Sequence, residues 1–372
     1  MMENNNQKNI LFLVSSMEGG GAERVAAILC NHWSECGFKV TLMPTFSGRG
    51  SCVHILGKDV ELIYLADIVN SKSKSFLMRI IRLYKLRQYI KKNKPDFIVS
   101  FLTNVNIAAI MAAIGTKIPV FVSERTYPPF NNWPILIFLL RRIFYPFASS
   151  VVMQTNDGIE WLNKSIKSSK GIVIENPVIH PLPIPEKRDK FITNKKIILA
   201  VARLSNEKNF SLIIDSFNKL HKDNPEWDLV ILGDGPEKNQ ILNKIDKLDL
   251  KERVHLMGRS PDPDFWYSKA SIFVMYSKFE GFPNALVEAM AYGLPVISSN
   301  CKTGPKDIIT HMKDGLLVPL SSEPNLLSDS IEMLIKDSVL RSRLSSQATF
   351  VKEKFALNQV HQKWLELFEK NE

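Results

Sequence analysis

Short apolar runs alternate with segments whose apolar residues recur at helical spacing throughout the first half of the chain. NILFLVSS reads as a buried strand, MEGGG as a glycine turn and AERVAAILCNHWSECG as a helix closed by Gly37. FKVTLMPTF is then a strand again. The alternation continues with DFIVSFL before NIAAIMAAIG, then PVFVSE and SSVVMQT. Strands apolar along their whole length and separated by helices belong to a parallel sheet covered on both faces. A second series begins at KIILAVARL and runs through WDLVILGDG, RVHLMG, SIFVMYS and LPVISS. The pattern predicts an α/β chain of two Rossmann-like, doubly wound domains, residues 1–180 and 190–354. Between them NPVIHPLPIPEKRDKFITN, rich in proline and charge, reads as a linker near 176–194, where a cleft is expected. The amphipathic stretch ATFVKEKFALNQVHQKWLELFEK predicts a last helix, with residues 355–372 packing back on the first domain.

At 372 residues the chain exceeds one typical core, and 45% apolar with 23% charged residues is the balance of a soluble globular protein. Cys30, Cys36, Cys52 and Cys301 form no CxxC pair and no metal spacing, so free thiols in a reducing compartment are expected. The histidines at 32, 54, 180, 221, 255, 311 and 361 are scattered, and no zinc site is predicted. MMENNNQK lacks the basic and apolar regions of a signal peptide, so export is not expected. The apolar stretch Trp133 to Phe147 is broken by Arg141 and Arg142, well short of the roughly 20 residues needed to cross a bilayer, though suited to lying on one.

Charge is unevenly placed. Of 48 Lys and Arg residues, 24 fall in residues 1–190 beside only 14 of the 38 acids, so the net +10 belongs to the first half and implies an anionic partner there. Lys72, Lys74, Arg79, Arg82, Lys85, Arg87, Lys91, Lys92 and Lys94 follow one another with no acid among them. A helical projection sets Phe76, Leu77, Ile80, Leu83 and Tyr84 on one face and Arg79, Arg82, Lys85 and Lys92 broadly on the other. This is either a sheet-covering helix with a solvated basic face or a face for acidic lipid head groups. NNWPILIFLLRRIFYPF, with aromatics beside arginines, supports the second reading. No nucleic-acid recognition module is present, so nucleic acid is not an expected partner.

Several short motifs carry candidate chemistry. Neither glycine turn fits a dinucleotide fingerprint, because GGGAER and GDGPEK put Arg24 and Lys238 where the third small residue belongs, which argues against a dehydrogenase. Gly19-Gly20-Gly21 still presents backbone N–H groups at a helix start, either for a phosphate or sugar or as a plain tight turn. Arg203 and Lys208 in ARLSNEKNF fall at the carboxyl end of a strand, where open α/β sheets bind ligands and two cations suit a diphosphate; the alternative is two solvated charges. Asp262 and Asp264 spell D-x-D, yet the flanking prolines make Asp264 a better helix N-cap than metal ligand. The strongest signal is Glu280 to Glu288 in EGFPNALVEAMAYG. Glu280 is predicted in the loop after a buried strand and Glu288 about one and a half turns into a helix with Pro283 at its start and Gly293 at its C-cap. Helix-start amides favour a diphosphate and a carboxylate can take both hydrogens of a vicinal diol, as in a nucleotide sugar. An ordinary βα unit with two solvated acids is the alternative.

Together, the E-x7-E spacing, GGGAER, ARLSNEKN, LGDGP and GLLVP make the chain resemble the retaining glycosyltransferases of family 4, which have the GT-B fold, over essentially its full length. The resemblance implies that Arg203 and Lys208 contact the donor diphosphate, Glu288 the ribose hydroxyls and Glu280 the donor sugar. The backbone of Gly281, Phe282, Pro283 and Asn284 is implied to lie along that sugar, with Ala285 and Leu286 nearest the phosphates. Gly20 and Gly21 are implied to close over donor and acceptor, and Met257, Gly258 and Arg259, with Gly233 of LGDGP, to lie on the donor side by the base. Where many members carry a histidine after PVFVSE, this chain has Ser123-Glu124-Arg125; Glu124 is expected to orient the acceptor hydroxyl or Arg125 to hold a phosphate. The implied reaction is sugar transfer with retention and no metal or other cofactor, from a UDP-sugar of galactose or N-acetylgalactosamine type, to which SSNCKTGPKDII points. GDP-mannose and UDP-glucose or UDP-N-acetylglucosamine are the alternative donors, and a GT-B-like phosphorylase or epimerase the alternative enzyme. The implied acceptor is a polyprenyl-diphosphate-linked glycan at the cytoplasmic face of the inner membrane, held by Arg79, Arg82, Lys85, Arg125, Arg141 and Arg142.

Overall fold

The computed structural model describes residues 7–45, 48–71, 75–130, 134–191 and 193–371. The chain divides into two units: one runs to Asn176 and takes in Val360–Glu372, the other is Pro177–Gln359. In the first, β1 (Asn9–Val14), β2 (Lys39–Pro44), β3 (Val60–Leu62), β4 (Phe97–Phe101), β5 (Val120–Ser123), β6 (Ser150–Met153) and β7 (Gly171–Val173) form one parallel sheet in the order β3-β2-β1-β4-β5-β6-β7. In the second, β8 (Lys196–Val201), β9 (Trp227–Leu232), β10 (Val254–Gly258), β11 (Ile272–Met275), β12 (Val296–Ser299) and β13 (Leu316–Val318) are ordered β10-β9-β8-β11-β12-β13, also all parallel. Strand order reverses between β1 and β4 and between β8 and β11. In a doubly wound sheet, ligands bind just beyond the carboxyl ends of the strands at such a reversal.

The continuous apolar strands follow from coverage on both faces. Ile198 and Ala200 of β8, Leu229 and Ile231 of β9, and Ile272 and Val274 of β11 enter one core layer, with the helix Phe210–Leu220. The alternate residues Ile197, Leu199, Val230, Leu232, Phe273 and Met275 enter the other, with the helix Asn284–Ala291. A period of two therefore leaves few polar positions on either side; Asp228 of β9 is buried only because Lys195, Arg253 and His255 meet its carboxylate.

In the first unit the helix Leu357–Glu369 supplies Val360, Trp364, Leu367 and Phe368 to the core at helical spacing. Phe368 stacks on Phe97 of β4 at 4.6 Å between ring centres, and Trp364 meets Trp33 edge to face at 5.7 Å.

The units divide between Asn176 and Pro177, at the start of the proline-rich segment, whose later residues pack on the second unit: Val178 and Leu182 are buried in its core, and Arg188 and Asp189 bond to the Asp262 carboxylate. One expectation is corrected. In the helix Phe76–Asn93 the buried stripe is Arg82, Leu86 and Ile90, and this stripe turns Phe76, Leu77, Ile80 and Tyr84 outward into solvent. Arg82 is thus on the inner face, donating to the Ser71 carbonyl at 3.3 Å, while Arg79 is exposed and Lys85 half-buried. Lys72, Lys74 and Trp133 lie outside the described residues. Among the described residues no helix is long and apolar enough to cross a membrane.

Candidate functional site

The second unit's strand reversal brings together the segments carrying Arg203, Lys208 and Glu280. β8 and β11 are hydrogen-bonded neighbours, so the segment 202–209 after β8 and the segment 276–283 after β11 leave the sheet side by side. Three bonds tie them: Lys278 N–H to the Glu207 carbonyl at 2.7 Å, Lys278 Nζ to Asn206 Oδ1 at 2.5 Å, and Lys208 Nζ to Glu280 Oε1 at 2.6 Å. Ser277 Oγ donates to the same Glu280 oxygen at 2.6 Å. Glu280 is 8% exposed, and Lys208 supplies the charge that offsets its burial. Behind this loop Thr303 Oγ1 donates to the Glu280 carbonyl, and a Cβ at Gly304, whose φ is +92°, would come within 2.7 Å of the Gly281 carbonyl oxygen. The loop is therefore pressed against a position only glycine fits.

Past this loop the helix Asn284–Ala291 begins after Pro283 with no side-chain cap. Glu288 is a buried acid on an otherwise largely apolar helix and accepts from Tyr267 Oη at 3.1 Å. Side chains of Phe282 and Leu286 enter the core, so these two offer only backbone to a ligand, while Ala285 is half-buried. Gly233 donates its N–H to the Gly258 carbonyl at 2.8 Å, and a Cβ on it would lie 1.8 Å from the Ala202 carbonyl oxygen. Its place is to let the exits of β8 and β9 touch. Met257 and Gly258 end β10 at an irregularity in its register rather than following it, and Met257, Arg259 and Arg203 are exposed. The N-cap of the helix Pro263–Lys269 is Asp262, not Asp264: Asp262 accepts from Phe265 N–H at 3.1 Å, and Arg188 binds both carboxylates at 2.7 and 2.9 Å.

In the first unit the glycine turn follows β1, and the helix Gly21–Glu35 starts after an extended Gly20. The Glu23 carboxylate lies against Gly20, where an added Cβ would meet it at 2.3 Å, so this helix start already faces a negative charge of its own. Glu124, after β5, turns inward. Its Oε1 accepts from Arg141 Nε at 2.9 Å and from Tyr145 Oη, and its Oε2 accepts from Thr103 Oγ1 at 2.8 Å. Arg141 closes the network on Thr103 at 2.7 Å. This corrects two expectations, of Glu124 open to an acceptor and Arg141 on a membrane face: burial of both ends makes them partners. Arg125 is also buried, over the Phe101 ring at 4.0 Å and bonded to Ser123 Oγ and Asn176 Oδ1, with no partner for its Nε. Desolvation without a carboxylate pushes its pKa down to about 9. Arg142 is exposed.

Sequence reasoning missed Ser277, Thr303, Tyr267 and Thr103, which fix Glu280, Glu288 and Glu124; Ser277 stands three residues before Glu280, and the other three come from elements distant in sequence that no spacing marks. It also missed a cluster away from the strand reversals, where His32, Cys36 and His361 bring their ligand atoms within 4.8 Å of one another.

Two Rossmann-like parallel-sheet units are the architecture of the GT-B fold, and the matching family models make the class a glycosyltransferase. The chain belongs to glycosyltransferase family 4, its residues 19–180 matching the model described as Glycosyltransferase Family 4 and its residues 184–350 that of Glycosyl transferases group 1. It is 28% identical over 360 residues, 96% of this chain and 97% of the relative, to the Campylobacter jejuni GalNAc-alpha-(1->4)-GalNAc-alpha-(1->3)-diNAcBac-PP-undecaprenol alpha-1,4-N-acetyl-D-galactosaminyltransferase. It is also 28% identical to the amylovoran biosynthesis glycosyltransferase AmsD of Erwinia amylovora, over 91% of this chain and 93% of that protein. Among solved structures, sucrose-phosphate synthase from Thermosynechococcus elongatus superposes with a TM-score of 0.82 at 17% identity, covering 98% of this chain and 99% of that one. Anabaena HepE in complex with UDP and glucose does so with 0.77 at 18%, covering 98% and 100%.

Proposed function

We propose that this glycosyltransferase moves a galactose- or N-acetylgalactosamine-type sugar from its UDP donor to a polyprenyl-diphosphate-linked glycan, with retention at the anomeric carbon and no metal in the step. The observation that carries the reading is the Lys208–Glu280 pair at the strand reversal, beside Arg203 and the uncapped start of the helix Asn284–Ala291. As the bond between sugar and diphosphate lengthens, negative charge grows on the phosphate oxygens. Lys208, released from Glu280, and Arg203 meet that charge together with the helix-start amides. Glu280, still held by Ser277, is left facing the sugar hydroxyls, and Glu288 takes the ribose diol. The acceptor hydroxyl attacks the oxocarbenium-like carbon from the face the diphosphate is leaving, and its proton passes to the departing phosphate oxygen.

The acceptor assignment is supported by the Campylobacter relative, whose own substrate is an undecaprenol diphosphate glycan. It is also supported by Arg125, a buried cation whose partners are all neutral and which a phosphate oxygen would complete. For the membrane the supporting feature is an outward apolar surface. Phe76, Leu77, Ile80 and Tyr84 on one helix and Ile135, Leu136, Leu139 and Ile143 on the helix Ile135–Phe144 are exposed, with Arg79, Lys85 and Arg142 beside them. Both helices pack on the helix Thr103–Ala113. Apolar side chains with flanking cations suit the cytoplasmic face of an anionic bilayer.

The test is transfer from a panel of nucleotide sugars to a polyprenyl-diphosphate glycan in vesicles, with EDTA present and the new linkage read by NMR. An α-linked product from an α-linked donor is expected. Inversion, a need for divalent metal, or sugar phosphate formed without acceptor would overturn the reading. Arg125→Gln should raise KM for the lipid acceptor and leave KM for the donor alone.

A further inference from the structure

We infer that His32, Cys36 and His361 form a zinc-class metal site joining the helix Gly21–Glu35 to the helix Leu357–Glu369, away from either strand reversal. His32 and Cys36 are one turn apart, in the i, i+4 relation that sets two side chains on the same helix face. His361 comes in from the last helix, its ring edge-on to that of His32 with centres 4.6 Å apart. One ligand atom from each of the three lies within 4.8 Å of the others. His32 Nε2 and Cys36 Sγ are 3.7 Å apart, against about 3.6 Å for the N···S edge of a tetrahedron built with zinc's usual bond lengths. His361 Nδ1 is buried and has no hydrogen-bond partner, a lone-pair donor that a cation would satisfy.

The donor set points to the metal. Two imidazoles and a thiolate are ligands of borderline softness, which suit zinc rather than calcium or magnesium, and they leave a fourth position for water. Binding would convert the Cys36 thiol to a thiolate on the metal and release its proton to solvent, so affinity should fall as pH is lowered. Sequence spacing hid the site because its third ligand arrives from the opposite end of the chain. Nothing here touches sugar transfer; the metal would act as a clip on the last helix.

The test uses full-length, tag-free, reduced protein titrated with cobalt(II) as a spectroscopic probe and then with zinc(II). One equivalent of cobalt should give a thiolate-to-cobalt charge-transfer band that zinc displaces. Cys36→Ser should abolish the band, His361→Gln should weaken cobalt binding at least tenfold, and Cys52→Ser should change neither. Zinc should also raise the melting temperature of the wild type and leave that of Cys36→Ser unmoved. Cys36 is exposed, so that variant tests the site even where His361→Gln fails to fold. Absence of the band at excess cobalt, or its survival in Cys36→Ser, would overturn the assignment.

Discussion

Arg141 offers the sharpest test of how the first unit is held together. Its side chain and that of Glu124 are 2% and 1% exposed, so solvent screens the pair very little. Replacing Arg141 with Met keeps most of the volume but leaves the Glu124 carboxylate with two neutral donors, Thr103 and Tyr145, and no counter-charge. Removing one partner of a buried pair costs about 3–5 kcal/mol, whereas removing both together is often close to neutral. For a unit of this size each kcal/mol moves the melting temperature by about 2–4 °C, so Arg141→Met should lower it by roughly 10 °C. Arg141→Met with Glu124→Gln should recover much of that loss, a coupling of about 2 kcal/mol in a double-mutant cycle. Thermal and urea unfolding followed by tryptophan fluorescence would measure both, since Trp33 and Trp364 are buried in this unit's core. A loss under about 1 kcal/mol, the usual value of a surface pair, would refute the buried network and return Arg141 to the surface.

Other outcomes are as specific. Gly233→Ala places a methyl 1.8 Å from the Ala202 carbonyl oxygen, so the backbone beside Arg203 must move; a loss of about 3 kcal/mol or more in urea unfolding is expected, and a neutral effect would contradict the contact. Tyr267→Phe deletes the 3.1 Å bond to Glu288 and should weaken UDP binding about tenfold by calorimetry; unchanged affinity would separate Glu288 from the nucleotide. Cys301 is buried, and burial with the nearby Glu280 charge pushes its pKa from an ordinary 9.0 up to about 11. Its folded pKa is raised, so the unfolded thiol ionises first and stability falls as pH rises from about 9 to about 11, by up to about 2–3 kcal/mol. Cys301→Ala should flatten that part of the pH–stability curve, and an unaltered slope would show the thiol titrating normally.

Much of this molecule was legible because parallel strands covered on both faces leave few polar positions, and runs such as KIILAV and WDLVIL admit few other readings. The E-x7-E segment was legible for a related reason: a strand, a tight loop and a helix fix where an acid at 280 and another at 288 stand. What stayed hidden was the inside or outside of charged residues. Arg82 and Arg141 lie in basic stretches that spacing alone reads as solvated, and only a partner brought from elsewhere, the Ser71 carbonyl or Glu124, makes their burial tolerable. The composition of the proline-rich segment marks a join between units but not that Leu182 and Arg188 find partners on the second of them. Pairings that depend on distant chain segments carry no local signature.

The last helix sets the order in which the molecule can be made. Phe97 and Trp33 are synthesised early, yet the rings that pack against them, Phe368 and Trp364, leave the ribosome only after the whole second unit. The second unit, Pro177–Gln359, is complete before that point, so it can mature while the polypeptide is still being elongated. The N-terminal unit has to wait, its aromatic centre unfinished, until the helix Leu357–Glu369 has been made. A chain that stalls just after Gln359 would therefore carry a finished second unit and a first unit open to proteases.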